Sequence, residues 1–235
     1  MKPYVICLMA CSVDGRTLPS RWRPRGAAGD VFERVHDQLA GDAWLIGRVT
    51  GQEFAKGKPY PTSTKETISR EPWFARRDAK AYGVVLDAHG KIAWGRSDIG
   101  GDPIVVVLAE AVSDAHLAGL RSEGVSYIFG GKSQLDLALT LDILNRELGV
   151  KLLEGGGGAN GAFLRAGLID EFNLIICPAV DGAKGAPSVF DSTEIEADQR
   201  APVTAMSLDS SEAIEGGAVL LRYRIENALS EATCQ

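Results

Sequence analysis

The chain has 235 residues, of which 45% are hydrophobic and 24% charged, with a net charge of −6. That is enough apolar material for a full globular core and too little clustered positive charge for a nucleic-acid surface, since the arginines are scattered. The apolar stretch from Met1 to Ala10 is far shorter than the roughly 20 residues of a membrane span, so no membrane association is expected. It runs into Ser12-Val13-Asp14-Gly15-Arg16 without the small-residue pattern of a cleaved signal, which points to a buried first strand and a cytoplasmic protein. Cys7, Cys11, Cys177 and Cys234 are too few for a disulfide scaffold, and no repeat or linker breaks the chain, so residues 1–235 read as one domain.

In chain order, Tyr4 to Ser12 is a continuous apolar run, as in a strand covered on both faces. A loop rich in Gly, Arg and Pro follows to Ala28. Val31, Phe32, Val35 and Leu39 give Asp30 to Ala40 near-helical spacing. Ala43 to Ile46 is a short strand, and Gly47 opens a second helix. Residues 57–80 hold three prolines and many charges, a long loop of the kind that often carries function. Tyr82 to Asp87 and Ile104 to Ala109 are strands, Ser113 caps a helix to Arg121, and Val125 to Phe129 is the next strand. Leu137, Leu141, Leu144 and Leu148 share one face of a helix from Gln134, which Gly149 ends. Lys151 to Glu154 is a strand, Ala159 to Ala166 a short helix, and Glu171 to Cys177 a strand. Val203 to Leu208 and Ala218 to Ile225 close the chain as strands with no helix between them. The alternation predicts an α/β fold of three layers, α/β/α, with a mostly parallel sheet and antiparallel C-terminal edge strands.

Two strand-to-helix junctions could hold a phosphate. In Leu152-Leu153-Glu154-Gly155-Gly156-Gly157-Gly158-Ala159-Asn160-Gly161 a strand runs through four glycines into a helix, where bare N–H groups attract an anion and glycine lets a ligand come close to the backbone. The alternative is a flexible turn. Gly156, Gly158 and Gly161 also satisfy the Rossmann spacing, but too few βα units follow for that fold. Gly130-Gly131-Lys132-Ser133 lacks the leading glycine of a P-loop. The second junction is Ala43-Trp44-Leu45-Ile46-Gly47-Arg48-Val49-Thr50, in which Arg48 offers a fork suited to a phosphate monoester and Thr50 a hydroxyl in the first turn. Read alone, it is an ordinary solvated arginine beside a capping threonine; paired with the glycine loop, two helix N-termini could serve the two phosphate regions of a dinucleotide.

The segment from Leu45 to Phe54 resembles the Gly-Arg-x-Thr helix start of dihydrofolate reductases, and Glu154-Gly155-Gly156-Gly157 resembles their glycine-rich cofactor loop. Ser12-Val13-Asp14-Gly15-Arg16 and Leu164-Arg165-Ala166-Gly167-Leu168-Ile169-Asp170-Glu171 are closer to the riboflavin-pathway reductase domain, with motif order matching from about Tyr4 to Ile225. The resemblance implies an NADPH-dependent reductase acting on a pyrimidine or pteridine heterocycle or an attached sugar imine. It also implies that Gly47, Arg48 and Thr50 bind the adenosine phosphates, that Gly155, Gly156, Gly157, Gly158 and Asn160 bind the pyrophosphate, and that Asp14 and Gly15 belong to the loop over nicotinamide and substrate. Two departures stand out. Leu8 replaces the lysine usual on the first strand, and Phe54-Ala55-Lys56-Gly57-Lys58-Pro59-Tyr60 replaces an Asp-Pro-x-Leu-Thr stretch.

Hydride transfer to C=N or C=O needs a proton source, for which Glu154, Asp14, His36 and Asp37 are candidates. Glu154 ends a strand at the ligand edge, or else hydrogen-bonds the glycine loop. Asp14 is a candidate acid and substrate contact, or a turn former beside Gly15. His36 is a candidate substrate contact, or a partly buried structural histidine. Trp22 could stack on a planar substrate, or pack down on its own loop. His36, His89 and His116 lack metal-ligand spacing, so no metal is expected. A homodimer is expected, through the apolar runs Phe172 to Cys177 and Val219 to Leu221. The competing functions are a general reductase of small carbonyls and a nucleotide-binding regulatory module without turnover.

Overall fold

A computed structural model describes residues 2–27, 30–39, 41–149 and 152–228, and for 152–154 the backbone alone. Ala28, Ala40, Lys151 and Cys234 therefore lie outside the described residues. In chain order the elements are β1 (Val5–Ser12), α1 (Val31–Leu39), β2 (Ala43–Gly47), α2 (Arg48–Phe54), β3 (Tyr82–Leu86), β4 (Asp98–Ile99), β5 (Asp102–Leu108), α3 (Asp114–Ser122), β6 (Ser126–Phe129), α4 (Leu137–Leu148), β7 (Leu152–Gly155), α5 (Gly157–Arg165), β8 (Glu171–Cys177), β9 (Val203–Ile214) and β10 (Ala218–Asn227). The chain forms two compact units, one of residues 1–3 and 41–153, the other of residues 4–40 and 154–235.

In the first unit β2, β3, β5 and β6 are parallel neighbours, with β4 antiparallel at the start of β5. Residues 103–108 of β5 are all buried, the signature of a strand covered on both faces. One face packs Ile46, Val85, Ile104 and Val106 against Leu117 and Leu120 of α3. Ser113 caps α3 as expected, its side chain accepting from the His116 N–H, while α4 starts three residues later than its leucine pattern suggested because Asp136 caps it. Gly149, at φ 66°, closes α4.

The long loop of residues 57–80 is fastened to its unit rather than left open. Trp73 and Tyr127 exchange backbone hydrogen bonds at 2.9 Å in both directions, and Arg121 lies over Trp73 while donating to the Tyr127 hydroxyl at 2.8 Å. Arg70 donates to Asp114 at 2.6 Å and to the Ile68 and Val112 carbonyls.

In the second unit β1 pairs in parallel with β8, β8 pairs antiparallel with β10, and β10 with β9. The α/β class and the antiparallel C-terminal strands thus follow the alternation in the sequence. β9 runs six residues beyond its expected end at Leu208, because residues 210–214 continue to pair with β10 after a register shift that skips Asp209.

Candidate functional site

Each candidate residue belongs to one unit. In the second unit the glycine run does not act as a uniform loop. Asn160 donates its backbone N–H to the Gly156 carbonyl at 2.9 Å, so α5 starts at Gly157, two residues before the expected Ala159. Gly156 precedes it at φ 96°, where a side chain would be strained, and it supplies no side-chain cap. A Cβ on Gly158 would meet nothing within 4 Å, and one on Gly155 only the Leu8 carbonyl at 4.0 Å. Gly157 differs, because its missing side chain leaves room for the Ser188 carbonyl, and Asp191 donates its N–H to the Gly157 carbonyl at 2.9 Å. Gly161, one turn on, is filled in the same way by the Asp191 carbonyl. Asn160 is fully buried, its amide donating to the Val189 carbonyl at 3.1 Å.

Gly157 and Asn160, both expected at the pyrophosphate, are therefore used to seat the segment 188–191 on α5. The open backbone belongs to Gly155 and Gly158. A helix N-terminus without a side-chain cap presents N–H groups with no intrahelical partner, which fits a phosphate group. Glu154 is the penultimate residue of β7, next to this turn in sequence, and its side chain lies outside the described residues.

Asp14 lies in a tight turn at the end of β1. Its carboxylate accepts from Ser12 Oγ at 2.6 Å, from the Asp181 N–H at 3.1 Å and from the Gly182 N–H at 2.9 Å. These bonds, that from Ser12 foremost, hold its carboxyl well below the usual carboxylate range. An acid held ionised in this way is a poor proton donor near neutrality, contrary to the catalytic role expected of it. Trp22 is 1% exposed, so it offers no open ring face for stacking. His36, half-buried on α1, stacks on Phe32 and faces Asp37 at 3.5 Å, the arrangement of a structural histidine. Leu8, where a lysine was expected, is fully buried on β1.

In the first unit Gly47 is the N-cap of α2, with no side-chain cap, and Arg48 and Thr50 stand in its first turn. Arg48 is exposed and makes no ion pair among the described residues. Gly51 lets this short helix lie against the sheet, since a Cβ there would come within 2.6 Å of Val85 and 3.3 Å of Ile92. A cavity of about 670 Å³ in this unit is lined by Gln52, Tyr60, His89, Lys91, Ser113 and His116 among others, and by none of the three expected phosphate ligands.

Sequence reasoning missed the segment 178–191, which ties the Asp14 turn to α5. The spacing of Gly157 and Gly161, four apart on one helical face, was the available signal for a close backbone approach. Among the described residues no group of three or more His, Cys, Asp or Glu side chains could hold a metal, and no helix is long and apolar enough to cross a membrane.

Comparison with known proteins agrees with this architecture. A 2,5-diamino-6-ribosylamino-4(3H)-pyrimidinone 5′-phosphate reductase of Methanothermobacter thermautotrophicus is 24% identical over 232 residues, 96% of this chain and 100% of the relative. The crystal structure of a pyrimidine reductase-like protein from Corynebacterium diphtheriae superposes with a TM-score of 0.68 at 18% identity, over 96% of this chain and 93% of that one. A riboflavin biosynthesis reductase of Saccharomyces cerevisiae gives 0.57 at 16% identity, over 96% and 90%. With residues 3–220 matched to its model, the chain belongs to the RibD C-terminal domain family.

Proposed function

We propose that the protein is an NADPH-dependent reductase of a pyrimidine-type heterocycle or of a sugar imine attached to one. The observation that carries this reading is the match over the whole length of a relative named as a pyrimidinone 5′-phosphate reductase. NADPH, when bound, supplies the hydride. In the second unit the open backbone at Gly155 and Gly158, with Gly156 as the uncapped N-cap between them, suits its pyrophosphate, because nothing lies within 4 Å of where a Gly158 side chain would begin. In the first unit Gly47, Arg48 and Thr50 suit a phosphate monoester, and Arg48 has no competing ion pair among the described residues. Glu154 is assigned the proton-handling or orienting role that its place near the end of β7 allows.

The buried Leu8 removes the usual cation from β1 and favours a substrate recognised differently at that position. Steady-state oxidation of NADPH with a panel of phosphoribosylaminopyrimidines, pteridines and small aldehydes tests the reading. Turnover with a pyrimidine is the expected result. Turnover with aldehydes alone would mark a general carbonyl reductase, and binding without turnover a regulatory module. We further propose a homodimer.

A further inference from the structure

We propose that Asp14 is a positioning residue whose carboxylate clamps the strap formed by residues 178–191. Three donors converge on that carboxylate: Ser12 Oγ at 2.6 Å, the Asp181 N–H at 3.1 Å and the Gly182 N–H at 2.9 Å. Ser12 is fully buried and also accepts from the Arg16 N–H at 3.1 Å, so the group that aims Asp14 is itself fixed. Gly182 stands at φ 72°, where the strap turns.

From this point the strap lies along the loop of residues 13–23. Val13 donates to the Ala179 carbonyl at 2.8 Å, Arg23 and Val180 exchange backbone hydrogen bonds at 2.9 Å, Arg21 pairs with Asp181 at 2.8 Å, and Thr17 donates to the Pro187 carbonyl at 3.1 Å. Arg16 reaches the Ala186 carbonyl at 3.2 Å. The far end rests on α5, through Asn160 on Val189, Asp191 on Gly157, and Arg165 on the Asp191 carbonyl at 3.1 Å. One ribbon thus joins the Asp14 turn to the glycine turn within the second unit, and order at one end supports order at the other. The charged groups around the clamp, Arg16, Arg21 and Asp181, are engaged with the strap itself. Asp14 accepts from the Ser12 hydroxyl and two main-chain N–H groups and leaves proton transfer to another group.

Hydrogen exchange across residues 178–191 tests this in wild type, Asp14→Ala and Asp14→Asn, with Asp209→Asn on β9 as the control. In Asp14→Ala, exchange at residues 181–182 is expected to accelerate on the order of tenfold or more. The acceleration is expected to extend to residues 188–191, which Asp14 does not touch. Asp14→Asn keeps one acceptor oxygen but turns a donor toward Gly182, so it gives a smaller rise. In the NADPH assay the loss is expected mainly in KM for the reducible substrate. Unchanged exchange in Asp14→Ala overturns the proposal, and so does acceleration confined to residues 181–182. A loss of kcat of about a hundredfold or more in Asp14→Asn with wild-type exchange would restore Asp14 as a proton donor. If no heterocycle is turned over, exchange still decides, which separates failure of the clamp from failure of the reductase reading.

Discussion

Asp191 donates its backbone N–H to the Gly157 carbonyl at 2.9 Å, and the Ser188 carbonyl occupies the space where a Gly157 side chain would begin. Two backbones approach more closely here than any residue with a Cβ permits, whereas the neighbouring Gly158 faces open space. Gly157→Ala must push the strap away and is expected to cost about 1–3 kcal/mol of stability, the usual range for overpacking. Gly158→Ala is expected to be neutral or to stabilise by up to about 1 kcal/mol, since alanine is the better helix former. Thermal and denaturant unfolding without ligand check both. On the cofactor assignment, Gly158→Val should weaken NADPH binding while leaving the unfolding midpoint nearly unchanged.

The elements legible in the sequence were those whose pattern repeats locally. The apolar run of β1, the leucine face of α4 and the Ser113 cap all depend on neighbours within a few positions. The strap was not legible, because its partners are remote: Asp14 meets Gly182 across 168 positions and Asn160 meets Val189 across 29. For the same reason the four glycines read as one ligand-binding loop, although Gly157 serves a long-range backbone contact. Trp22 has no local signal for burial either, yet it is 1% exposed, and the next residue, Arg23, bridges to Val180 more than 150 positions away.

His116 gives a pH test of the first unit. The residue is 8% exposed, its ring set edge-on to Tyr60 at 5.0 Å, and Nε2 has no hydrogen-bond partner among the described residues. Burial pulls its pKa below the ordinary 6.5, with Asp87 and Glu123 opposing in part. The folded protein therefore binds this proton more weakly than the unfolded chain. The resulting stability is present above pH 6.5 and is lost as pH falls from there toward the folded-state value. His116→Phe should flatten that part of the curve of unfolding free energy against pH, whatever its effect on absolute stability. An unchanged slope between pH 7 and pH 5 would show that other groups set it.

Arg48 is exposed in the first turn of α2 and has no ion pair among the described residues to hold it elsewhere. If it reads the 2′-phosphate, Arg48→Ala should weaken NADPH by about ten- to a hundredfold, the worth of a charge-assisted pair, and leave NADH nearly unaffected. Stability should not change, because the side chain is exposed and makes no ion pair among the described residues. Isothermal titration with both cofactors is the measurement, and equal loss for the two would remove the role.

The dimer expectation shifts with the structure. Of the run on β8, Phe172, Ile175 and Cys177 are buried while Leu174 and Ile176 are only partly so, and both edges of the strand are paired, with β1 and β10, so this run offers little exposed surface. The pair β9 and β10 offers more. Leu208 lies opposite Tyr223 and Met206 opposite Ile225, and with the period of two along a strand Val219 and Leu221 join the same face. Met206 is 48% exposed, Leu208 53% and Val219 37%, while Ile225 on the same face is buried, so the ribbon carries exposed apolar positions among Ser, Asp and Glu. In a two-fold interface each residue acts twice, so Met206→Asp with Leu208→Asp would bring four carboxylates into the contact. Desolvating them without partners costs several kcal/mol, enough to raise the dissociation constant more than about a hundredfold. Light scattering at micromolar concentration should therefore show a dimer for the wild type and a monomer with an unchanged fold for the double variant. A monomeric wild type would leave these positions without this role.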